Sequence, residues 1–173
     1  PKQKGPLITL LYAIPKGDKL DLVVQKATEL GVDAIILVET KHAVAKISAD
    51  KQAAKHERFM KIIKAAAMQS KQNHIPDISG PIPFNEAINL PFDLKLIGHE
   101  KATVPLRKVL NAKYQTSESV CVLIGPEGGF SHNEVALASQ HDFAVVSFGA
   151  NILRSETAVF YALSVLQYEK EEQ

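Results

Sequence analysis

Residues 120–131 read VCVLIGPEGGFS and predict a buried strand, a tight loop and the start of a helix in immediate succession. The first five residues are continuously apolar, which is typical of a strand that is covered on both faces. Ser131 and Glu134 have the spacing of a capping box, and Phe130 and Val135 that of a hydrophobic staple. A buried strand that passes directly into a capped helix is the repeating unit of a parallel α/β sheet.

The same alternation of short apolar runs and longer amphipathic stretches extends over the chain on both sides of this unit. Further strands are predicted at residues 7–14, 34–40, 94–98 and 144–148, and helices at residues 18–30, 51–72, 104–112 and 155–169. Pro76, Pro81 and Pro83 predict irregular chain. The pattern predicts a doubly wound, mostly parallel sheet with helices on both faces, and no linker divides it.

The composition is that of an ordinary globular domain. Of 173 residues, 46% are hydrophobic, and 20 Lys and Arg against 19 Asp and Glu leave a formal net charge of +1. A surface-wide basic field is excluded, so a nucleic-acid partner would have to meet a local patch. The single cysteine, Cys121, excludes an internal disulfide and a multi-cysteine metal site, and it suits a reducing, cytoplasmic setting.

The loop at residues 124–130, IGPEGGF, is a candidate ligand site. Gly128 and Gly129 permit positive φ and close approach of the backbone to a ligand, and backbone amides near a helix start can bind an anion or a carboxylate. A tight strand-to-helix turn would explain a lone pair of glycines equally well. The loop matches neither a Walker A nor a GxGxxG pattern, so phosphate or dinucleotide binding is not predicted.

A second candidate, residues 148–158 (FGANILRSETA), places an arginine at the start of a predicted helix. Ser155 or Thr157 can cap that helix. Arg154 does not fit this explanation, because a cation at the positive end of a helix dipole is unfavourable. Its position predicts a partner, either a carboxylate such as Glu127 or an anionic substrate.

Two other polar segments are less distinctive. Gly98, His99 and Glu100 follow a predicted strand and would meet the two loops above, because ligands bind beyond the carboxyl ends of parallel strands. Lone polar residues in such loops are more often simply solvated. The long helix and the turn after it carry basic side chains that form either a modest phosphate-contact strip or a solvated face: Arg58, Lys61, Lys64, Lys71 and His74.

Together these segments resemble the RsmE family of 16S ribosomal RNA uracil-N3 methyltransferases, within the SPOUT superfamily. The matching stretches are PKGDKLDLVVQKATELGV (residues 15–32), the Gln69-Ser70 to Pro76 region, LIGPEGGFS (residues 123–131) and ILRSETA (residues 152–158). The resemblance covers nearly the whole chain, and the last two motifs in that order are highly specific. It implies one α/β domain over residues 1–173 with a C-terminal trefoil knot, which is an exception to the usual connection rules.

The resemblance also implies the ligands and partners. S-adenosylmethionine would be held in the knot, 16S rRNA of the small ribosomal subunit would be the substrate, and a homodimer interface would complete each active site. The implied cofactor-binding residues are Gly98, His99, Ile124, Gly125, Pro126, Gly128, Gly129, Phe148, Gly149, Ile152 and Leu153. The implied RNA-binding residues are Lys71, Asn73, His74 and Arg154.

Two features depart from the family pattern. Met68 and Gln72 stand where the family usually has a glutamate and an arginine, so an RNA contact by that arginine would be weakened here or moved to Lys71 or His74. Family members also carry a small N-terminal β-rich domain that resembles RNA-binding PUA domains, which we expect this chain to lack. The chain is therefore expected to be the catalytic domain, with much of the RNA contact supplied from elsewhere.

The implied chemistry assigns roles to three side chains. Methylation of uridine N3 needs an in-line approach to the methyl carbon and the loss of the N3 proton. Arg154 stays protonated, so its expected catalytic role is to stabilise the uridine anion or a flanking phosphate. Glu127 and Glu100 are the candidate catalytic carboxylates, because burial can raise a carboxyl pKa, and Glu127 is expected to orient Arg154.

Competing classes stay open at this point. A non-catalytic RNA-binding or ribosome-assembly domain of the same fold would not bind S-adenosylmethionine. A flavodoxin-like enzyme would carry a Ser/Thr-rich phosphate loop where residues 15–18 read PKGD. Within the SPOUT superfamily a tRNA methyltransferase is the nearest alternative, and the whole-chain match favours ribosomal RNA.

Overall fold

A computed structural model describes residues 5–43 and 46–171, which form a single six-stranded sheet with helices packed on it. The strands are β1 (Leu7–Ala13), β2 (Ala34–Glu39), β3 (Asp77–Pro83), β4 (Leu94–Gly98), β5 (Ser119–Ile124) and β6 (Phe143–Val146). Their order across the sheet is β3-β2-β1-β5-β4-β6, and every pairing is parallel. The predicted doubly wound α/β architecture is confirmed, and the trefoil knot stays a prediction.

Helices cover both faces of this sheet. They are α1 (Lys19–Glu29), α2 (Gln52–Gln69), α3 (Phe84–Ile88), α4 (Leu106–Lys113), α5 (His132–Gln140) and α6 (Ser155–Glu171). Because side chains alternate along a strand, the sheet supplies two cores. Leu10 and Tyr12 of β1 belong to the core that α1, α2, α4 and α6 complete, whereas Leu11 belongs to the core formed with α3 and α5.

Strand β5 lies near the middle of the sheet, between β1 and β4. Residues 120–124 are each 3% exposed or less. Both faces of this strand are therefore covered, as its uninterrupted apolar sequence predicts. The loop at residues 124–130 follows the carboxyl end of this strand, and it therefore lies where the parallel strands end.

The segment that contains Pro81 and Pro83 is a strand. The prediction of irregular chain there is wrong. Residues Asp77–Pro83 form β3, and α3 follows directly at Phe84. Strand β3 lies at the edge of the sheet, so one side of it has no neighbouring strand. A proline on that side therefore costs no hydrogen bond between strands, although it has no N–H to donate. The pairing of β3 with β2 also shifts register between Ile36 and Val38, which accommodates the irregular strand.

The predicted helix ends are partly confirmed. Helix α1 stops before Gly31, whose φ of +80° suits a glycine after a helix. Asp18 occupies the N-cap position of α1 but makes no side-chain cap hydrogen bond. At α5 the capping box is complete: the Ser131 hydroxyl accepts from the Glu134 amide at 3.1 Å, and the Ser131 amide donates to Glu134 Oε1 at 2.8 Å.

Two kinds of feature are absent from the described residues. No helix in residues 5–43 and 46–171 combines the length and the hydropathy that a membrane span requires. Within the same ranges, no group of His, Cys, Asp and Glu side chains is arranged to hold a metal ion.

Candidate active site

A cavity of about 480 Å³ opens at the carboxyl ends of β4, β5 and β6. Three loops that follow these strands form most of its wall. We name them the histidine loop (residues 98–100), the glycine loop (residues 124–130) and the arginine loop (residues 147–154). Because parallel strands end at one edge of a sheet, loops that are distant in sequence meet here.

The cavity brings together the predicted cofactor and catalytic residues. Its lining includes all eleven residues expected to bind the cofactor, together with Glu100, Glu127 and Arg154. Six lining residues were not predicted to take part: Lys19, Phe130, Ser147, Asn151, Ser155 and Ala158. The signal for Lys19 was its place in the PKGDK stretch, and that for Ser155 was its place directly after Arg154.

Two glycines shape the wall formed by the histidine and arginine loops. A Cβ on Gly98 would lie 2.6 Å from Phe148 Cε2, so the Phe148 ring occupies the space that a side chain would need. The same ring packs on Tyr161 of α6, with 5.5 Å between centroids. Gly149 has no atom near its Cβ position but a φ of +110°, so it is required by its backbone conformation.

The glycine loop is held from outside by the chain that follows β2. The carbonyl of Gly128 accepts a hydrogen bond from His42 Nδ1 at 3.1 Å, which requires the tautomer protonated at Nδ1. Glu134 Oε2 accepts from the Lys41 amide at 3.1 Å. Gly129 closes the turn, with its amide 2.9 Å from the Pro126 carbonyl and a φ of +69°. The loop is therefore braced on the side away from the cavity.

Lys19 is the charged partner of Glu127, in place of the expected Arg154. Lys19 Nζ lies 3.5 Å from Glu127 Oε1 and 3.5 Å from Glu156 Oε2. The Lys16 amide adds a hydrogen bond of 3.1 Å to Glu127 Oε1. The prediction that Glu127 orients Arg154 is wrong, because the positive start of α1 already takes up this carboxylate.

The pKa of Glu127 argues against a role as proton acceptor. Partial burial raises this pKa, but hydrogen bonds from the backbone amides of Glu127 and Lys16, with Lys19 close by, outweigh burial and hold it below its ordinary value. The carboxylate is therefore ionised at neutral pH and binds a proton weakly. Glu100, the other predicted carboxylate, is exposed at the edge of the cavity.

His99 has electrostatic surroundings of a different kind. Burial lowers its pKa, nearby Lys101 and His132 act in the same direction, and Glu100 opposes them. The imidazole is therefore neutral at pH 7 and keeps one nitrogen lone pair. Sequence reasoning treated His99 only as a cofactor contact, and the structure adds that it can accept a hydrogen bond or a proton.

Arg154 presents an uncompensated cation to the cavity. Its side chain is exposed, lines the cavity and forms no ion pair within the described part of the chain. The Arg154 carbonyl accepts from the Ala158 amide at 2.9 Å, which places the residue at the very start of α6. The expected carboxylate partner is absent there, so an anionic substrate is the better match to this guanidinium.

Ser155 does not act as a helix cap. Its hydroxyl donates to the Gly125 carbonyl at 2.8 Å, across the cavity floor from one loop to the other. The Tyr12 hydroxyl lies 2.7 Å from the same oxygen. Because the serine proton is directed at Gly125, Tyr12 is the donor in the second bond. Both side chains are buried, with 7% of Ser155 and none of Tyr12 exposed.

The other predicted RNA contacts lie at the opposite edge of the sheet. Lys71, Asn73 and His74 belong to the turn between α2 and the start of β3, far from the carboxyl ends of the strands. His74 Nε2 donates to the Asp33 carbonyl at 3.3 Å, and Gln72 Nε2 donates to the Thr28 carbonyl. Within one chain, these residues are therefore not brought together with Arg154.

The basic side of α2 is partly neutralised. Arg58 pairs with Asp21 of α1, and Lys61 lies 3.6 Å from Glu57 one turn earlier. Lys64 is exposed. Paired and scattered cations of this kind favour the solvated-face interpretation over a phosphate-contact strip.

The fold and the site together define a class: an α/β domain with a cavity beyond the carboxyl ends of its parallel strands, whose lining includes an arginine that forms no ion pair in residues 5–43 and 46–171. The chain matches the family model described as "RNA methyltransferase domain" over residues 3–167. It belongs to this family of RNA methyltransferases.

Individual relatives agree with this assignment. The chain is 34% identical over 170 residues to ribosomal RNA small subunit methyltransferase E of Bacillus subtilis, covering 95% of this chain and 66% of that protein. It is 34% identical over 166 residues to the protein of the same name from Mesomycoplasma hyopneumoniae, covering 95% and 69%. The chain spans about half to just over two thirds of the length of such curated relatives.

Solved structures are similar over the same range. A methyltransferase from Legionella pneumophila in complex with S-adenosylmethionine superposes with a TM-score of 0.88 at 36% identity, covering 96% of this chain and 68% of that one. Ribosomal RNA small subunit methyltransferase E from Neisseria gonorrhoeae, bound to S-adenosylmethionine, gives a TM-score of 0.85 at 30% identity, covering 96% and 68%.

Proposed function

We propose that this chain is the catalytic domain of an S-adenosylmethionine-dependent methyltransferase that modifies N3 of a uridine in 16S rRNA. The observation that carries the proposal is the cavity in which the LIGPEGGFS and ILRSETA motifs meet, because every residue expected to hold the cofactor lines it. The names of the relatives favour ribosomal RNA over tRNA as the substrate. Such a substrate would place the protein in the cytoplasm, where ribosomal subunits are assembled.

The residues present fit S-adenosylmethionine. The cavity volume of about 480 Å³ is within the range of small-molecule sites. Gly129 and Gly149 leave open space at their Cβ positions, so a ligand can approach the backbone closely at both residues. The glycine loop, the histidine loop and residues 148–153 would hold the cofactor, which supplies a methyl group on a positively charged sulfur.

The side chains around the cavity divide the remaining tasks. The ionised Glu127, kept in place by Lys19, places carboxylate oxygens in the wall that can accept hydrogen bonds from a ligand. Arg154 attracts the RNA and stabilises the negative charge that spreads over the uridine ring when N3 loses its proton. For the proton itself, neutral His99 and exposed Glu100 are the candidate acceptors, and the lowered pKa of Glu127 disfavours that residue.

We further propose that the chain acts as a homodimer. Two large apolar side chains at the cavity are exposed: Ile152, which lines it, is 80% accessible, and Tyr161, which packs on the lining residue Phe148, is 41% accessible. Exposed apolar residues that cluster in this way favour a protein interface. A second subunit is also a means by which Lys71, Asn73 and His74 of one chain could reach RNA held at the cavity of the other. Analytical ultracentrifugation would give the mass of two chains, and a monomer at micromolar concentration would contradict this.

Two measurements test the function. Isothermal titration with S-adenosylmethionine should give one site per chain with micromolar affinity, and flavin mononucleotide should give no heat. Transfer of labelled methyl groups should then be seen with small ribosomal subunits and not with tRNA. Absence of cofactor binding would favour the non-catalytic RNA-binding alternative, and transfer to tRNA alone would move the substrate within the superfamily.

A further inference from the structure

Two buried hydroxyl groups connect the two loops on which the proposed chemistry depends. The chain of hydrogen bonds runs from Tyr12 to Ser155 and from Ser155 to the Gly125 carbonyl, at 2.7 and 2.8 Å. Tyr12 lies in β1, in register with Ile124 at the end of β5, so it is anchored in the sheet directly beside the glycine loop. Ser155 is the first residue of α6 and follows Arg154.

These two hydrogen bonds include a direct link between the glycine loop and the start of α6. In residues 5–43 and 46–171, the bond from Ser155 to Gly125 is the one direct hydrogen bond that joins the glycine loop to the start of α6. The other connection is ionic and passes through Lys19, which lies between Glu127 and Glu156. Lys19 is 33% exposed, so salt screens its two ion pairs, whereas the hydroxyl pair is buried and insensitive to salt.

The hydroxyl pair has a fixed proton arrangement. Burial raises the pKa of Tyr12 above its ordinary value, although the bond to Ser155 opposes this, so the phenol stays protonated and remains a donor. Because Tyr12 donates to the serine oxygen, the serine hydroxyl keeps its own proton directed at the Gly125 carbonyl. Without Tyr12, the serine hydroxyl would be free to rotate away from that carbonyl.

We propose that Tyr12 and Ser155 are positioning residues, which hold Arg154 at a set distance from the glycine loop. The proposal rests on the proposed function, in which the glycine loop holds the cofactor and Arg154 faces the RNA. Neither hydroxyl needs to touch substrate. Their effect is on the relative placement of two reacting partners, to which methyl transfer is sensitive because it requires an in-line approach.

The variants Tyr12→Phe, Ser155→Ala and the double variant test the proposal. Each removes a hydroxyl with little change of shape. We expect kcat to fall about tenfold in Ser155→Ala and less in Tyr12→Phe, with Kd for S-adenosylmethionine within about threefold of the unmodified chain. Because Tyr12 acts through Ser155, the double variant should be no slower than Ser155→Ala alone.

Tyr114→Phe is the matched control. Tyr114 is equally buried, and its hydroxyl donates to the Leu166 carbonyl at 2.6 Å, outside the cavity lining. It should lose thermal stability much as Tyr12→Phe does and keep its kcat. Amide hydrogen exchange followed by mass spectrometry should become faster in the arginine loop of Tyr12→Phe and stay unchanged there in Tyr114→Phe.

The outcomes separate this proposal from the proposed function. A kcat within about twofold in Tyr12→Phe and Ser155→Ala, or an equal loss in Tyr114→Phe, would overturn the positioning role. If Ser155→Ala does not fold, Tyr12→Phe decides alone. If the unmodified chain neither binds S-adenosylmethionine nor methylates RNA, the proposed function fails, and the exchange comparison still decides whether the two hydroxyls hold the arginine loop.

Discussion

At the scale of single residues, the cavity contains two cations in opposite situations. Lys19 is engaged by Glu127 and Glu156, and therefore contributes to the shape of the site. Arg154 has no ion-pair partner in the described ranges and lies where a helix dipole disfavours it, so its charge is available to an incoming anion. Sequence reasoning identified the unusual position of Arg154 from its neighbours. It could not pair Glu127 with Lys19, because that contact joins segments more than a hundred residues apart.

Arg154→Ala should lower kcat for methyl transfer by about 100-fold or more, because one charged donor is lost where negative charge develops. The affinity for S-adenosylmethionine should stay within a few-fold, as measured by calorimetry. Arg107→Ala, which removes an exposed arginine of α4 outside the cavity lining, is the control and should keep full activity. An Arg154→Ala chain that is as active as Arg107→Ala would remove Arg154 from the mechanism.

Gly98→Ala should weaken S-adenosylmethionine binding by about tenfold, since the new methyl group pushes the Phe148 ring into the cavity and overpacking of this kind costs about 1–3 kcal/mol. Titration calorimetry measures the change. In a Phe148→Leu background the same substitution should cost much less, because the ring atoms that the methyl group meets are gone. Equal losses in both backgrounds would show that the collision with the ring is not the cause.

At the scale of elements, the strands were easier to predict than their connections. Buried parallel strands have continuous apolar runs, so β4 and β5 could be recognised, and with them the loops that form the cavity. Strand β3 could not, because its prolines are typical of loops and are tolerated only by its place at the sheet edge. Nor could the role of Ser155, since a serine at a helix start has the same local sequence whether it caps the helix or bonds to a distant carbonyl.

The capping box of α5 allows a test of stability at this scale. Ser131→Ala should reduce the free energy of unfolding by about 1 kcal/mol, which is typical for the loss of an N-cap. Glu134→Ala should cost more, about 2–3 kcal/mol, because this 7% exposed carboxylate also accepts from the Lys41 amide. Urea denaturation measures both, with the exposed Ser139→Ala of the same helix as a neutral control. Similar losses for Ser131→Ala and Glu134→Ala would contradict the role of the carboxylate beyond the cap.

At the scale of the whole molecule, the proposed chemistry lies at the carboxyl ends of the strands, and the turn at residues 70–76 lies at their amino ends. The first part of this was predictable, because in a parallel sheet the loops that follow the carboxyl ends of the strands lie on the same side and form the ligand site. The position of Lys71 and His74 was not predictable from motifs, since a motif match says nothing about which edge a turn occupies. The net charge of +1 is compatible with this division, because the proposed RNA contacts need only a few local cations.

Cys121 offers a probe of the molecule as a whole. It is fully buried in β5, and burial raises the pKa of its thiol to about 12, so the reactive thiolate is absent from the folded protein at neutral pH. An aromatic disulfide reagent should therefore label no thiol in buffer and one thiol per chain in denaturant. In low denaturant the labelling rate should follow global unfolding. Rapid labelling in buffer would show that the centre of the sheet opens locally.

The pairing of β1 with β5 has a consequence for how the chain folds during its synthesis. Strand β1 pairs on one side with β2 and on the other side with residues 119–124 of β5, more than a hundred residues further along the chain. Contacts between such distant segments form late and slowly, because a long loop must first be closed. During synthesis, β1 and β2 would leave the ribosome with one side of β1 unpaired until β5 follows. The nascent protein would thus pass through a stage that is exposed to aggregation, which ends when β5 joins β1 to β4.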